Sequence, residues 1–131
     1  IRVALDWGMT NSRIWIGRAL SAAPVLLLTV SAAMKFIQPA GFAEGMNHMG
    51  WPIGKAVGLG ILELACTAVY LVPRTSVLGA ILLTGYLGGA TATHVRVDDP
   101  FFLQPLLGAM LWGGLYMRDE RLRALLPFVT K

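Results

Sequence analysis

Charge is what this sequence has least of. Asp, Glu, Lys and Arg supply 14% of its 131 residues, against about 25% in soluble domains. Apolar residues supply 56%, mean hydropathy is +0.64, and an ordinary soluble domain is excluded on those grounds. There is one cysteine, Cys66, inside an apolar run. A lone cysteine excludes an intrachain disulfide and a dithiol relay, and no zinc-type ligand spacing occurs. With no strand pattern, no Gly-rich nucleotide loop can follow a strand. A haem held by two histidines would need His48 and His94 to face one another, and His48 falls in a loop. The net charge of +4 comes without a basic stripe interleaved with aromatics, so nucleic acid is not an expected partner.

What is present is a series of apolar runs near the roughly 20 residues that a bilayer crossing requires. The expected crossings are residues 19–37, 56–72, 76–95 and 101–117, in one membrane domain of residues 1–131. The first run passes signal-peptide length without an A-x-A-like end, so it reads as a retained helix. Residues 1–18 alternate Val3, Trp7, Ile14 and Trp15 with Arg2, Asp6, Arg13 and Arg18. They read as an interfacial arm, with Asn11 or Ser12 available to cap the helix that follows. The loop from Gln38 to Lys55 carries Pro39, Gly41, Gly45, Gly50, Pro52 and Gly54, too much punctuation for a long helix. Its Phe42, Met46, Met49 and Trp51 suit a short helix over the mouth of the bundle. Gly79, Gly85, Gly88 and Gly89 in the third run suit close helix packing. Residues 118–131 form a short amphipathic tail with Leu122, Leu125 and Leu126 on one side.

An even number of crossings puts both termini and the Pro73–Arg74 turn on one side. That side holds Arg2, Arg13, Arg18, Arg74, Arg118, Arg121, Arg123 and Lys131, eight of the eleven basic residues. The positive-inside rule makes it cytoplasmic. The predicted fold class is therefore all-α, an integral membrane four-helix bundle with both termini cytoplasmic.

Topology gives each polar residue a depth. Glu63 lies eight residues inside the second crossing, about 12 Å down at 1.5 Å per residue. An ionised carboxylate there is costly and must be protonated or paired. Lys35 ends the first crossing on the outer side, His94 ends the third there, and Gln104 begins the fourth there. All four crossings thus contribute a polar group to the outer half. The candidate catalytic residues are Glu63, His94 and Lys35, the candidate cofactor-binding residues Glu63 and Gln104, and no metal site is expected. Helical spacing puts Gly60, Thr67 and Tyr70 near the Glu63 face. Taken singly, Lys35 is equally a lysine snorkelling to headgroups, and His94 a helix-end residue at the interface.

The chain resembles the DoxX-like family of small bacterial membrane proteins from about Arg18 to Pro127. The likeness rests on ordered landmarks: Met34-Lys35-Phe36, His48-Met49-Gly50-Trp51-Pro52, Gly60-Ile61-Leu62-Glu63-Leu64 and Val72-Pro73-Arg74-Thr75. Leu78-Gly79-Ala80, Thr84-Gly85-Tyr86-Leu87-Gly88-Gly89-Ala90, His94 and Tyr116-Met117-Arg118-Asp119 follow. The resemblance implies a four-helix bundle in the bacterial inner membrane and links to quinone-linked redox and oxidative-stress systems. It marks Lys35, Glu63 and His94 without giving them roles.

Three readings follow. In the first, the chain is a subunit or accessory of a quinone-linked redox system, binding a lipophilic molecule, with quinone as the candidate cofactor, in the outer half. Its partners are then the lipid bilayer, that molecule, and other membrane subunits or a second copy. In the second, it is a self-standing enzyme, an isomerase using Glu63 and His94 as acid and base on one lipophilic substrate. In the third, it is a scaffold whose glycine-rich helices pack against a partner, with Glu63 satisfied internally by Lys35. The sequence leaves open whether the chain is an enzyme.

Overall fold

In a computed structural model, residues 2–129 are described, with side chains from residue 11 onward. Every regular element among them is helical: α1 (Arg2–Ile37), α2 (Phe42–His48), α3 (Ala56–Leu71), α4 (Ser76–Arg96), α5 (Leu103–Arg118) and α6 (Glu120–Leu125), with short 3-10 turns at Ile53–Lys55 and Pro73–Thr75. α1 packs against α3 and α5, α4 packs against the same two helices, and α6 rests on α5.

Among the described residues, three segments are long and apolar enough to cross a membrane: Asn11–Ile37, Ile53–Leu71 and Pro73–Arg96. The expected fourth crossing corresponds to α5, whose 16 residues span about 24 Å, less than the roughly 30 Å hydrocarbon core. The expected arm is not a separate element, because α1 runs unbroken for 36 residues from Arg2 to Ile37. Asn11 and Ser12 lie inside that helix and cap nothing. Neither is a helix breaker, and the isolated polar pair costs less than interrupting the backbone ladder. Pro24 also lies within α1, with its side chain fully buried.

The surface differs from that of a soluble bundle. Ser21, Glu63, Thr67 and Ser76 are buried, while Leu26, Ile37, Ile61, Leu71, Ile81 and Phe102 face outward. Large apolar side chains turned out and polar ones turned in are what a lipid solvent selects. The hydroxyls of Thr29, Thr67, Thr84, Thr91 and Thr93 each donate to the carbonyl four residues earlier, so none needs water. A core of Leu28, Cys66, Tyr70, Ala80, Leu83, Leu87, Leu107 and Leu111 joins the four long helices.

Two close approaches fix the helix pairs. At the α1–α5 crossing, a Cβ on Gly114 would come within 2.6 Å of the Gly17 carbonyl oxygen. In the α3–α4 hairpin, a Cβ on Gly79 would strike the backbone of Tyr70. The hairpin turn satisfies the last carbonyls of α3 through side chains: Thr75 Oγ1 donates to Val69 at 2.8 Å and Ser76 Oγ to Tyr70 at 2.8 Å. Of the three leucines expected to form one apolar side of the tail, only Leu122 is buried, while Leu125 is 58% exposed.

Candidate functional site

The four candidate residues Lys35, Glu63, His94 and Gln104 all line one cavity of about 650 Å³, at the end of the helices that carries α2. Its centre is Glu63, placed by α3 facing α1 and 1% exposed. Lys35 Nζ, on the last turn of α1, lies 2.8 Å from Glu63 Oε2. Ser31, one turn earlier on α1, sits between them: its Oγ accepts from Lys35 Nζ at 2.7 Å and donates to Glu63 Oε2 at 3.3 Å. Carboxylate, ammonium and hydroxyl thus form a closed triangle. An ammonium and a bridging hydroxyl are what an anionic carboxylate needs at that depth. Lys35 does not simply snorkel outward.

Sequence reasoning missed two members of this group, Ser31 and Tyr86. The Gly79–Tyr70 contact sets the antiparallel register of α3 and α4, which puts Tyr86 level with Glu63, and both line the cavity. Ser31 precedes Lys35 by four residues, so a one-turn spacing rule applied to Lys35 finds it. Nothing in the sequence pairs Tyr86 with Glu63, because helix periodicity is silent on register between helices.

His94 and Gln104 make a second polar group, farther toward the α2 end. Nδ1 of His94 donates to the Ala90 carbonyl at 2.8 Å, and Gln104 Nε2 lies 3.4 Å from His94 Nε2. Gln104 Oε1 is buried and has no hydrogen-bond partner among the described residues, an orphan acceptor open to a donor from a bound molecule. His94 is eight residues beyond Tyr86 on α4, about 12 Å along the helix. Glu63 and His94 therefore occupy separate poles of the cavity.

The expected glycine packing surface turns out differently. A Cβ on Gly85, Gly88 or Gly89 would meet nothing within 4 Å, and Gly85 and Gly89 line the cavity. Of that group only Gly79 makes a close helix approach; Gly85 and Gly89 make room. Tyr70 also departs from expectation. It shares the buried α3 face with Glu63, but seven residues carry it about 10 Å toward the other end, where it lines a different cavity.

A cover closes the α2 end. Phe42, Met46, Met49 and Trp51 line the cavity from above. Their segment is pinned to the α4–α5 turn by His48 Nε2, 3.0 Å from both carboxylate oxygens of Asp99, and by Arg96 donating to the Met49 carbonyl. His48 is thereby engaged away from the cavity and does not face His94. Leu27, Leu62 and Leu103 line the cavity yet are 49%, 50% and 53% exposed. The cavity thus opens sideways, toward the surface that faces lipid.

This arrangement defines a helical membrane protein with a polar-centred internal cavity, and comparison supplies its family. The chain matches the DoxX-like family over residues 19–114, and it belongs to that family. Among curated proteins it is similar to Leukotriene B4 receptor 2 of Rattus norvegicus and of Mus musculus. Each is 27% identical over 115 residues, covering 85% of this chain and 29% of the receptor. The chain spans less than a third of the length of these relatives. No solved structure matches it.

Proposed function

We propose that this DoxX-like protein is a four-helix bundle of the bacterial inner membrane, with both termini cytoplasmic, that binds a lipophilic small molecule in the Glu63 cavity. In this reading it serves as a subunit or accessory of a quinone-linked redox system. The observation that carries the reading is the cavity itself, with polar groups at two poles, apolar walls between them, and a side open toward lipid. An elongated apolar molecule with a polar group at one or both ends fits that pattern, and a quinone is one such molecule. Tyr86 would donate to it near Glu63, and a donor on its far end would satisfy Gln104 Oε1.

The isomerase reading fits less well. An acid and a base acting on one substrate must both come within hydrogen-bond reach of it, and about 12 Å of helix separates Tyr86, beside Glu63, from His94. The scaffold reading is favoured by one observation, the closed Lys35–Glu63 pair, which needs no ligand. It leaves the cavity and the Gln104 orphan without a use.

Native mass spectrometry from mild detergent, with a short-chain quinone added, tests the proposal. Wild type is expected to retain the quinone or a native lipophilic molecule, together with any redox subunit that co-purifies. Gly89→Leu fills the cavity without touching the Lys35–Glu63 pair, and is expected to lose retention at least about tenfold. Equal retention by wild type and Gly89→Leu, or none by either, would leave the scaffold as the better account.

A further inference from the structure

A second cavity, of about 970 Å³, lies at the opposite end of the helices. Its walls are apolar: Val25 and Leu26 from α1 and Leu71 from the end of α3. Leu26 and Leu71 are 66% and 59% exposed, so the wall is continuous with the lipid-facing surface. Its floor is polar but already satisfied. Ser21 Oγ lies 2.7 Å from Tyr70 Oη, which donates to the Leu111 carbonyl at 2.7 Å. The floor therefore offers a ligand no unpaired group.

The mouth is different. Arg18 of α1 and Arg118 of α5 both line it, and neither has a carboxylate partner among the described residues. Each guanidinium instead lies over an aromatic ring, Arg18 at 5.3 Å from Trp15 and Arg118 at 5.9 Å from Tyr70, an arrangement that holds the arginine in place while leaving donors free. The acids at the same mouth are engaged locally. Asp119 accepts from the backbone N–H groups of Arg121 and Leu122 and pairs with the Arg121 side chain; Glu120 lies 3.8 Å from Arg123 and is 89% exposed. Two uncompensated positive charges remain above an apolar slot.

We propose that this slot holds an anionic glycerophospholipid, its phosphate bridged by Arg18 and Arg118 and one acyl chain lying along Val25, Leu26 and Leu71. Basic pockets between membrane helices on the arginine-rich side recognise such headgroups. Arg18 and Val25 are seven residues apart, about 10 Å along α1, which sets a headgroup at the interface and a chain below it. A free phosphate would use the arginines alone and leave the apolar wall without a role. The site is separate from the Glu63 cavity and does not depend on how that cavity is used.

The test is lipid retention by detergent-purified full-length chain, read by native mass spectrometry after titration with phosphatidylglycerol or phosphatidylcholine. Wild type is expected to prefer phosphatidylglycerol by about tenfold or more. Arg18→Gln with Arg118→Gln should abolish that preference, while Arg18→Lys with Arg118→Lys should keep most of it. Leu26→Trp should weaken retention of both lipids with the charge intact. Arg74→Gln, on the same end but outside the slot, should leave the preference unchanged. Circular dichroism of each variant establishes that it is folded. Three results overturn the proposal: no preference in wild type, an equal loss in Arg74→Gln, which means diffuse surface charge, or displacement of the lipid by millimolar inorganic phosphate, which means an anion site.

Discussion

The two cavities lie at opposite ends of the same helices and divide their polar chemistry in opposite ways. In the α2-end cavity the charges are deep and paired, Lys35 against Glu63, and the unsatisfied atom is neutral, Gln104 Oε1. In the arginine-end cavity the deep groups are neutral and paired, Ser21 with Tyr70 and Tyr70 with the Leu111 carbonyl, and the unmatched groups are charged and shallow. The difference follows from solvation. A charge can stay unpaired only where water or headgroups reach it, and an apolar environment tolerates charge only in pairs. One end is thus suited to a neutral lipophilic guest, the other to an anionic amphiphile.

The sharpest break of this contrast is to orphan the deep charge. Lys35→Met leaves Glu63 buried with only hydroxyls for company, and removing one partner of such a pair costs about 3–5 kcal/mol. Thermal unfolding in detergent is expected to show that loss, with much of it recovered in Lys35→Met with Glu63→Met. The matching change at the other end, Arg18→Gln with Arg118→Gln, is expected to cost only about 1–2 kcal/mol, the worth of two cation–π contacts near the surface. If the two ends respond alike, the division of deep and shallow charge is wrong.

Next in size is the neutral network. Tyr70→Phe removes the donor to the Leu111 carbonyl and the partner of Ser21 Oγ together. Leaving buried groups unpaired costs about 1–3 kcal/mol, and ligand retention in the Glu63 cavity should not change. A stability loss near zero would mean that water already reaches this floor.

Much of the contrast could be read in the sequence. Hydropathy located the apolar runs, and counting along them put Lys35, Glu63, His94 and Gln104 toward one end, where they line one cavity. What escaped is whatever depends on register between helices. Glu63 is met by Ser31, with Tyr86 at its level on α4, rather than by His94, and Tyr70 shares a face with Glu63 but serves the other end. Glycine was ambiguous for a physical reason. The same missing Cβ permits the tight approach at Gly114 and the empty space at Gly89, and composition does not distinguish them. The arginine-end slot escaped altogether, because counting basic residues for orientation treats them as a sum, whereas the slot depends on which two lack a partner.

The smallest effect separates the ends by pH. Asp119 caps α6 at the arginine end. Burial raises its carboxyl, but hydrogen bonds from the Arg121 side chain and from the backbone N–H groups of Arg121 and Leu122 outweigh that and hold it below the ordinary value of 3.8. A depressed carboxyl contributes stability that is fully present above the unfolded value and fades as pH falls through the folded one. Between about pH 5 and pH 2, α6 should therefore loosen while α5 does not, with a cap worth about 0.5–2 kcal/mol at stake. Amide exchange at Arg121 and Leu122, corrected for its intrinsic pH dependence, reads this directly. Asp119→Asn keeps a capping oxygen but cannot ionise, so its α6 protection should be lower at neutral pH and flat across the window. If that variant loses protection on acidification as wild type does, the Asp119 cap is not what holds α6 over the slot.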